Sequence, residues 1–202
     1  MSAAHRHLML IRHPETVANV ESRYIGRTDS PLSERGLRQR AWLANLVAPW
    51  GADAVYTSPL GRALETARAI APEGCAVSVL EDLQEIDFGQ AECLTYDEIV
   101  QRGIRLQYTG SGPIAPDGET GAAFDARVRR AGVHIEAGPE RAVVVTHGGV
   151  MRRLLMHTLD LPVECGWHFA VPNATVAVIR IAEGVGVLES LTPPPELSED
   201  RA

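Results

Sequence analysis

The sequence predicts an α/β fold, a three-layer α/β/α sandwich built on a mostly parallel central sheet. Short apolar runs alternate along the chain with segments of helical composition, an order typical of helices packed on both faces of a parallel sheet. The 202 residues, 45% of them hydrophobic, are enough for one well-buried core. We therefore expect a single domain over residues 1–192, followed by a disordered tail over 193–202 that offers few side chains to bury.

The first part of the chain is predicted to be a buried strand, a loop and a helix. Residues 7–12 form a short apolar run that stops at a polar cluster, as a fully buried strand does. Gly, Asp, Ser and Pro are frequent in residues 21–31, which favours a loop. Ser33 is typical of a helix N-cap, and the helix is expected to run through Leu46. Four of its apolar residues are expected to face the core: Leu37, Ala41, Ala44 and Leu46.

The next three elements are predicted to be a strand, a helix and a strand. Residues 53–58, "DAVYTS", are the second predicted strand. "LGRALETARAIA", residues 60–71, is rich in the strong helix formers Ala and Leu. The turn Pro72–Gly74 ends this helix, and "AVSVL", residues 76–80, is the third predicted strand.

The middle of the chain predicts two helices around a long loop. Thr95 and Glu98 have the spacing of a capping box, which predicts a short helix. Residues 103–121 contain several Gly and Pro residues, and a loop of this length in a compact domain is typical of a binding lid. A helix is expected over residues 119–135.

The last elements are predicted to complete the sheet. "RAVVVTHG", residues 141–148, is the fourth predicted strand, and a helix over 149–159 follows it. "ATVAVIRI", residues 174–181, and "GVLESL", residues 186–191, are expected to pair as antiparallel strands through a turn at Glu183–Gly184. In such a sheet, active residues gather at the carboxyl ends of the parallel strands.

Composition narrows the classes of partner. A net charge of −7 and a pI near 5.5 argue against nucleic acid and against an anionic membrane surface. No apolar run approaches the roughly 18 residues that a membrane span needs, and no secretory signal pattern is present. The three cysteines lack a Cys-x-x-Cys spacing, so neither a disulfide framework nor a zinc site is indicated, and a reducing cytoplasm is the expected location. All 19 cationic residues are Arg, a good bidentate phosphate ligand where placement allows.

Two predicted strands end in the same way. "LMLIRHPE" and "VVVTHGGV" each consist of an apolar run, a histidine and a turn toward a helix. If the two strands are parallel and close together, His13 and His147 project from one edge, where helix N-termini attract anions. Arg12 beside His13 favours a phosphate pocket. The alternative is that each histidine is an ordinary hydrogen-bonded core residue.

Four motifs resemble one known family. "LIRHPET" with Asn19 downstream, "SPLGRALETA", "LQEIDFGQAE" and "VVVTHGGV" resemble, in the same order, the histidine phosphatase superfamily, also called the phosphoglycerate mutase-like family. The resemblance runs from Met9 to Ile181. It implies the phosphoglycerate mutase-like fold and transfer of a phosphoryl group to an imidazole and then to water. It also implies that no metal and no cofactor are required.

The resemblance implies roles for five residues. His13 matches the nucleophile, and Arg12, Arg62 and His147 match the walls of the phosphate pocket. Glu85 matches the general acid that protonates the leaving alkoxide. Two alternatives stay open. Arg62 could be an ordinary exposed residue at a helix start, and Glu85 could belong to a solvated acidic rim.

The resemblance also implies contacts near the substrate. Thr16 and Asn19 match residues near the phosphate, the N–H of Gly148 could reach it, and Tyr24 could stack on a flat base. Pro14 stands where most relatives have Gly, so one backbone N–H is lost. If Pro14 is the first residue of a helix, that N–H would have had no partner in any case.

The expected partner is a small phosphorylated metabolite, bound by a monomer or a homodimer. A phosphatase is favoured over a mutase, because residues 93–118 offer only Arg102 and Arg105 for a substrate carboxylate. "SRYIGRTDSPLSERG" and "CGWHFAVPNATVAVIRI" resemble the α-ribazole phosphatases of cobalamin biosynthesis. Trp167 and His168 could stack on a base, although closing the core is the favoured role of the Trp167–Phe169 segment. The alternatives are a broad-specificity sugar-phosphate or nucleotide phosphatase, a cofactor-dependent phosphoglycerate mutase, and a catalytically impaired phospho-ligand-binding relative.

Overall fold

The protein is a three-layer α/β/α sandwich, as predicted, in a computed structural model that describes residues 5–108 and 112–195. The strands are β1 Arg6–Arg12, β2 Ala54–Thr57, β3 Val77–Val79, β4 Arg141–Thr146, β5 Val176–Ala182 and β6 Val185–Thr192. The α-helices are α1 Val17–Val20, α2 Glu34–Val47, α3 Gly61–Ile70, α4 Tyr96–Gln101, α5 Gly121–Glu136 and α6 Gly148–Thr158. Short 3₁₀ helices cover Ala48–Trp50, Glu81–Leu83, Gly89–Ala91 and Val163–His168. None of the helices in the described ranges is long and apolar enough to cross a membrane.

The sheet has the strand order β3-β2-β4-β1-β5-β6. Strands β3, β2, β4 and β1 pair in parallel, whereas β5 is antiparallel to both β1 and β6. The predicted hairpin at the end of the chain is therefore confirmed. Because β1 lies between a parallel and an antiparallel neighbour, its carboxyl end meets the end of β4 on one side and the start of β5 on the other.

Successive residues of β1 point to opposite faces and form two separate cores. Leu8 and Leu10 pack with apolar residues of α5 and α6. Met9 and Ile11 pack with apolar residues of α2 and α3 on the other face. This strand is buried on both sides, which explains its continuous apolar sequence.

The register of β1 and β4 aligns the two strand ends. Arg12 lies opposite Thr146, and the backbone N–H of His13 donates to the Thr146 carbonyl at 2.8 Å. His13 and His147 therefore leave the sheet at the same level and on adjacent strands. The prediction that these two strands are parallel neighbours is confirmed.

The buried face of α2 differs from the prediction. The Ser33 N-cap is confirmed, but Leu37 is 46% exposed and Ala41 is exposed, while Ala44 and Leu46 are half-buried. The buried positions are Gly36, Gln39, Leu43 and Val47. The cause is a polar contact at the helix start. The Glu15 N–H donates to the Gln39 side chain at 2.8 Å, and a side chain at Gly36 would collide with the Glu15 carbonyl. This contact turns a polar residue inward, which hydrophobic periodicity does not anticipate.

Several element boundaries also differ from the prediction. Strand β4 ends at Thr146, because His147 is already the N-cap of α6. The helix expected from residue 119 begins at Gly121, with the Thr120 side chain as its N-cap. Strand β3 covers the three residues Val77–Val79 of the five predicted.

Two predicted segments lie partly outside the described residues. In the predicted lid, residues 109–111 are outside, while Ile114 is buried and accepts a backbone hydrogen bond from Gln107. The function of this segment as a lid stays a prediction. Residues 196–202 of the predicted tail are outside the described ranges, and Thr192 still belongs to β6.

Candidate active site

A cavity of about 590 Å³ opens at the carboxyl ends of β1 and β4. Of the predicted site residues, five line it: Arg12, Asn19, Tyr24, Glu85 and Gly148. The other four are buried next to this lining: His13, Thr16, Arg62 and His147. The structure therefore brings together at one place all the residues that the four motifs single out.

Both ring nitrogens of His13 have defined neighbours. Nδ1 lies 2.7 Å from the Pro14 carbonyl oxygen, and Nε2 lies 3.3 Å from Nε of Arg62. A carbonyl only accepts, so Nδ1 carries the proton, and Nε2 of the neutral ring holds a lone pair. Burial, together with the charges of Arg62 and Arg12, lowers the pKa of His13 well below its ordinary value. The ring is therefore a neutral imidazole whose Nε2 lone pair accepts a hydrogen bond from Arg62.

Pro14 contributes a carbonyl and does not begin a helix. The helix α1 starts at Val17, and Thr16 is its N-cap, with the Thr16 hydroxyl and the Asn19 side chain in a capping box. The alternative in which Pro14 is the first helical residue is therefore excluded. Proline has no N–H to donate, and its carbonyl accepts a hydrogen bond from Nδ1–H of His13.

Arg62 is buried, so the interpretation as an exposed helix residue is wrong. It is 3% exposed, and its guanidinium donates to the carbonyls of Gly26 at 2.6 Å and Thr28 at 2.9 Å. Asp29 pairs with the same guanidinium at 3.2 Å. Burial lowers the pKa of Arg62. The loop before α2 therefore fixes this cation against His13.

Arg12 places a second cation beside His13. Its Nη1 donates to the Val171 carbonyl at 2.7 Å, while its Nε is buried without a hydrogen-bond partner among the described residues. Burial lowers the pKa of Arg12 to about 10, so the side chain stays charged at neutral pH. A Cβ atom at Gly148 would lie 3.4 Å from this guanidinium. The Nε–H group is available to an anion.

His147 is fully buried at the start of α6. Its Nε2 lies 2.7 Å from the Ser58 hydroxyl, and its Nδ1 has no partner among the described residues. The rings of His13 and His147 are 5.2 Å apart and inclined at 61°. Burial and the charge of Arg62 lower the pKa of His147 well below its ordinary value. Two neutral imidazoles thus lie side by side.

Glu85 is buried rather than part of a solvated rim. It is 8% exposed, and its carboxylate accepts the N–H of Ile86 at 3.0 Å and of Gly149 at 2.9 Å. Arg127 donates to the Glu85 carbonyl at 3.0 Å and forms an ion pair with Glu119 at 2.7 Å. These contacts hold a carboxyl group in the cavity wall, close to the end of β4.

The side chains of Thr16 and Asn19 are hydrogen-bonded to each other. The Thr16 hydroxyl donates to Asn19 Oδ1 at 2.9 Å, and Thr16 does not line the cavity. Asn173, which the sequence interpretation missed, donates to Asn19 Oδ1 at 3.0 Å and to the His13 carbonyl at 3.2 Å. Asn173 therefore ties the segment before β5 to the end of β1. Its place in the "CGWHFAVPN" motif was the only available hint.

The outer wall of the cavity contains residues that the sequence analysis did not single out. They are Arg23, Tyr108, Arg152 and Arg153. Trp167 also lines the cavity and is 62% exposed, so the expectation that it closes the core is wrong. Phe169 alone of that segment packs against the core, and His168 is exposed and does not line the cavity. In the described ranges, no cluster of His, Cys, Asp and Glu has the arrangement of a metal site.

Comparison with known proteins fixes the family. Residues 8–193 match the Histidine phosphatase superfamily (branch 1). The chain belongs to this superfamily. It is accordingly a phosphatase, a hydrolase that acts on phosphoric monoesters, and the predicted fold and family are both confirmed.

The histidine phosphatase has relatives with different names. It is 32% identical to the adenosylcobalamin/alpha-ribazole phosphatase of Salmonella typhimurium, over 91% of this chain and 95% of that protein. It is 33% identical to "Probable phosphoglycerate mutase GpmB" of an Enterobacter species, over 86% of this chain and 84% of that protein. The solved structure of the alpha-ribazole phosphatase from Shigella flexneri superposes with a TM-score of 0.82 at 30% identity, covering 93% of this chain and 96% of that one.

Proposed function

We propose that this phosphatase works through a phosphohistidine at His13 and that its substrate is α-ribazole 5'-phosphate. The observation that carries the first part is the fixed tautomer of His13. Its Nδ1 proton is held by the Pro14 carbonyl, and its Nε2 lone pair lies beside Arg62. A neutral, oriented imidazole next to a cation is the arrangement that nucleophilic attack on a phosphate requires.

The reaction then proceeds in two balanced steps. The Nε2 lone pair of His13 forms a bond to phosphorus, and the bond from phosphorus to the ester oxygen breaks. Glu85 gives its proton to the departing oxygen, which leaves as an alcohol. A water molecule next attacks the phosphohistidine and returns a proton to Glu85, which releases inorganic phosphate and restores the free imidazole.

The surrounding residues stabilise the charge on the transferring oxygens. Arg12 and Arg62 supply cations on two sides of His13, and His147 supplies a ring N–H when the Ser58 hydroxyl donates to its Nε2. The N–H of Gly148 at the start of α6 lies beside Arg12 and is a further donor. Asn19, held by Thr16 and Asn173, lines the same cavity and offers its side-chain amide.

The choice of α-ribazole 5'-phosphate is supported by the relatives named for that activity and by the cavity. A volume of about 590 Å³ suits a ligand larger than a bare sugar phosphate. Tyr24 in the wall is available to a flat ring. A reducing cytoplasm as the location, and a monomer or homodimer as the active form, stay predictions.

A phosphoglycerate mutase is the second candidate, and one observation favours it. Arg23, Arg152 and Arg153 line the cavity and offer cations for a substrate carboxylate, although residues 93–118 do not. The cavity therefore does contain cations of the kind whose scarcity in residues 93–118 disfavoured a mutase. The same site in a catalytically impaired relative would bind phosphorylated ligands without turnover.

The test compares α-ribazole 5'-phosphate, ribose 5-phosphate and 3-phosphoglycerate at equal concentration in the presence of EDTA. We expect inorganic phosphate to be released fastest from the first, and an acid-labile phosphoenzyme to appear on rapid quench. Equal turnover of all three would refute the substrate assignment. Conversion of 3-phosphoglycerate to its 2-isomer would favour the mutase. An active enzyme that never forms an acid-labile phosphoenzyme would indicate direct attack of water on the substrate.

A further inference from the structure

The cavity changes in character from its inner end to its outer end. The inner end is formed by Arg12, Glu85 and Gly148, next to the two histidines. The outer end is aromatic, with Tyr108 and Trp167. Trp167 lies in the 3₁₀ helix Val163–His168 and is 62% exposed, although large aromatic side chains gain most from burial.

Neighbouring side chains hold the Trp167 ring in place. The Tyr108 ring lies 5.3 Å away at 78°, and the Arg152 guanidinium lies 5.2 Å from the centre of the indole. Arg152 also donates to the Phe169 carbonyl at 3.3 Å. An exposed ring that is fixed by these contacts presents a flat surface at little further cost in conformational entropy.

Arg152 links this surface to the inner end of the cavity. Arg152 lines the same cavity as Arg12 and Glu85, and its guanidinium lies over the Trp167 ring. The phosphate end and the indole are therefore parts of one continuous cavity.

Space for a flat group continues beyond Trp167. An adjoining chamber of about 320 Å³ shares Tyr108, Arg153, Val163 and Trp167 with the main cavity. The small residues Gly121 and Ala122 form another part of its wall. The combination of small residues and aromatic side chains leaves room beside the indole for a ring of similar size.

We infer that Trp167, backed by Tyr108 and Arg152, is a stacking site for the flat heteroaromatic base of a nucleoside-type phosphomonoester. This inference rests on the proposed function and names the side chains that would recognise the base of α-ribazole 5'-phosphate. The sugar then lies along Arg152, and the phosphate lies between Arg12 and His13. Trp167 acts on specificity and touches none of the reacting atoms.

The first experiment measures kcat/KM for α-ribazole 5'-phosphate and for ribose 5-phosphate, which lacks the base. The ratio of the two values reports recognition of the base alone. Trp167→Ala is expected to lower this ratio about tenfold, the size typical of one lost base stack. Trp167→Phe should restore most of it. Tyr96→Ala is the matched control, because Tyr96 is also 62% exposed but lies outside both cavities.

The second experiment uses α-ribazole, the nucleoside without phosphate, as a probe of intrinsic tryptophan fluorescence. Stacking on Trp167 should quench the emission, and Trp167→Phe should abolish the quenching, because Trp42 and Trp50 pack against the core on the α2 side of the sheet. An unchanged kcat/KM ratio in Trp167→Ala, with quenching retained in Trp167→Phe, would overturn the inference and leave the proposed function intact. A wild-type enzyme that hydrolyses ribose 5-phosphate but not α-ribazole 5'-phosphate would overturn both.

Discussion

The ends of β1 and β4 carry histidines that are held in opposite ways. At the end of β1, Nδ1 of His13 is bound by the backbone carbonyl of Pro14, and Nε2 is directed at Arg62. At the end of β4, Nε2 of His147 is bound by the Ser58 hydroxyl, and Nδ1 has no partner among the described residues. Similar apolar runs therefore present different ring nitrogens.

The two hydrogen-bond partners differ in whether they can donate as well as accept. A carbonyl only accepts, so His13 has one tautomer and one nucleophilic nitrogen. A hydroxyl both donates and accepts, so the tautomer of His147 can adjust to what its Nδ1 meets. The first arrangement suits a single committed chemical step, whereas the second suits stabilisation of charge that appears and disappears during the reaction.

The largest expected effect separates the two histidines directly. His13→Gln should abolish the phosphoenzyme and lower kcat by at least about 10⁴-fold, because it removes the proposed nucleophile. His147→Gln should lower kcat by about 10²–10³-fold, the usual cost of one lost donor to a developing charge, while the phosphoenzyme still forms. Rapid quench with labelled substrate measures both quantities.

One result would contradict the roles assigned to the two histidines, namely labelled phosphate on His13→Gln but not on His147→Gln. If His13→Gln still carries acid-labile phosphate and His147→Gln does not, the roles of the two strand ends are reversed. His168→Gln is the control, because His168 is exposed and does not line the cavity.

A smaller effect is expected from Gly149→Ala, because Gly149, in the first turn of α6, donates its N–H to the Glu85 carboxylate. A Cβ atom at Gly149 would lie 2.5 Å from Glu85 Oε1, so Gly149→Ala must displace the carboxylate. We expect kcat to fall about 10²-fold for alkyl phosphates, since proton transfer contributes about that much, and to fall much less for p-nitrophenyl phosphate. The phenolate leaving group needs no proton.

The matched control is Gly132→Ala, at a helical glycine in α5 whose added Cβ would meet only Leu154 at an ordinary 3.5 Å. If Gly149→Ala lowers kcat equally for alkyl and aryl phosphates, the substitution acts on phosphate binding at the start of α6 and not on proton transfer by Glu85.

The smallest expected effect is on stability and depends on pH. Both histidines have lowered pKa values in the folded protein, whereas in the unfolded chain they titrate near 6.5. Below that pH the unfolded chain binds protons that the folded protein does not, so the free energy of unfolding falls as the pH falls. Each histidine contributes a slope of about 1.4 kcal/mol per pH unit.

Urea unfolding at pH 7.0, 6.0 and 5.5 measures this slope. His13→Gln and His147→Gln should each reduce it by about one proton relative to the control His168→Gln, which replaces an exposed histidine. A slope unaffected by either buried substitution would mean that these rings are protonated in the folded state, which contradicts the neutral nucleophile.

The sequence predicted the two strand ends well, and the reason is local. The apolar runs before His13 and His147 are buried on both faces of the sheet, and a polar residue that follows such a run must leave at the strand's carboxyl end. The positions of Arg62 and Glu85 came from motif resemblance. Their burial came from distant partners, since Asp29 and Gly26 hold Arg62, and Arg127 holds the Glu85 backbone.

The outer wall was not predicted as a whole, because it is assembled from separate parts of the chain. Tyr108 and Trp167 are far apart in sequence and meet only through tertiary packing, and Arg152 and Arg153 come from α6. Asn173 likewise reaches Asn19 and the His13 carbonyl only in the folded protein. The α2 prediction failed, and the helical alternative for Pro14 was excluded, for a related reason. A capping box at Thr16 displaced the start of α1, and the Glu15–Gln39 hydrogen bond turned α2, and neither contact has a periodic pattern.

The arginines of the cavity also govern how a substrate arrives. The chain carries a net charge of −7. Among the described residues that line the main cavity, however, the charged side chains are four arginines and one carboxylate, Glu85. A doubly negative ester is repelled by most of the surface and attracted to one opening. Such focusing raises the frequency of productive encounters and weakens as ionic strength rises. The excess of negative charge elsewhere on the chain thus directs diffusion toward His13.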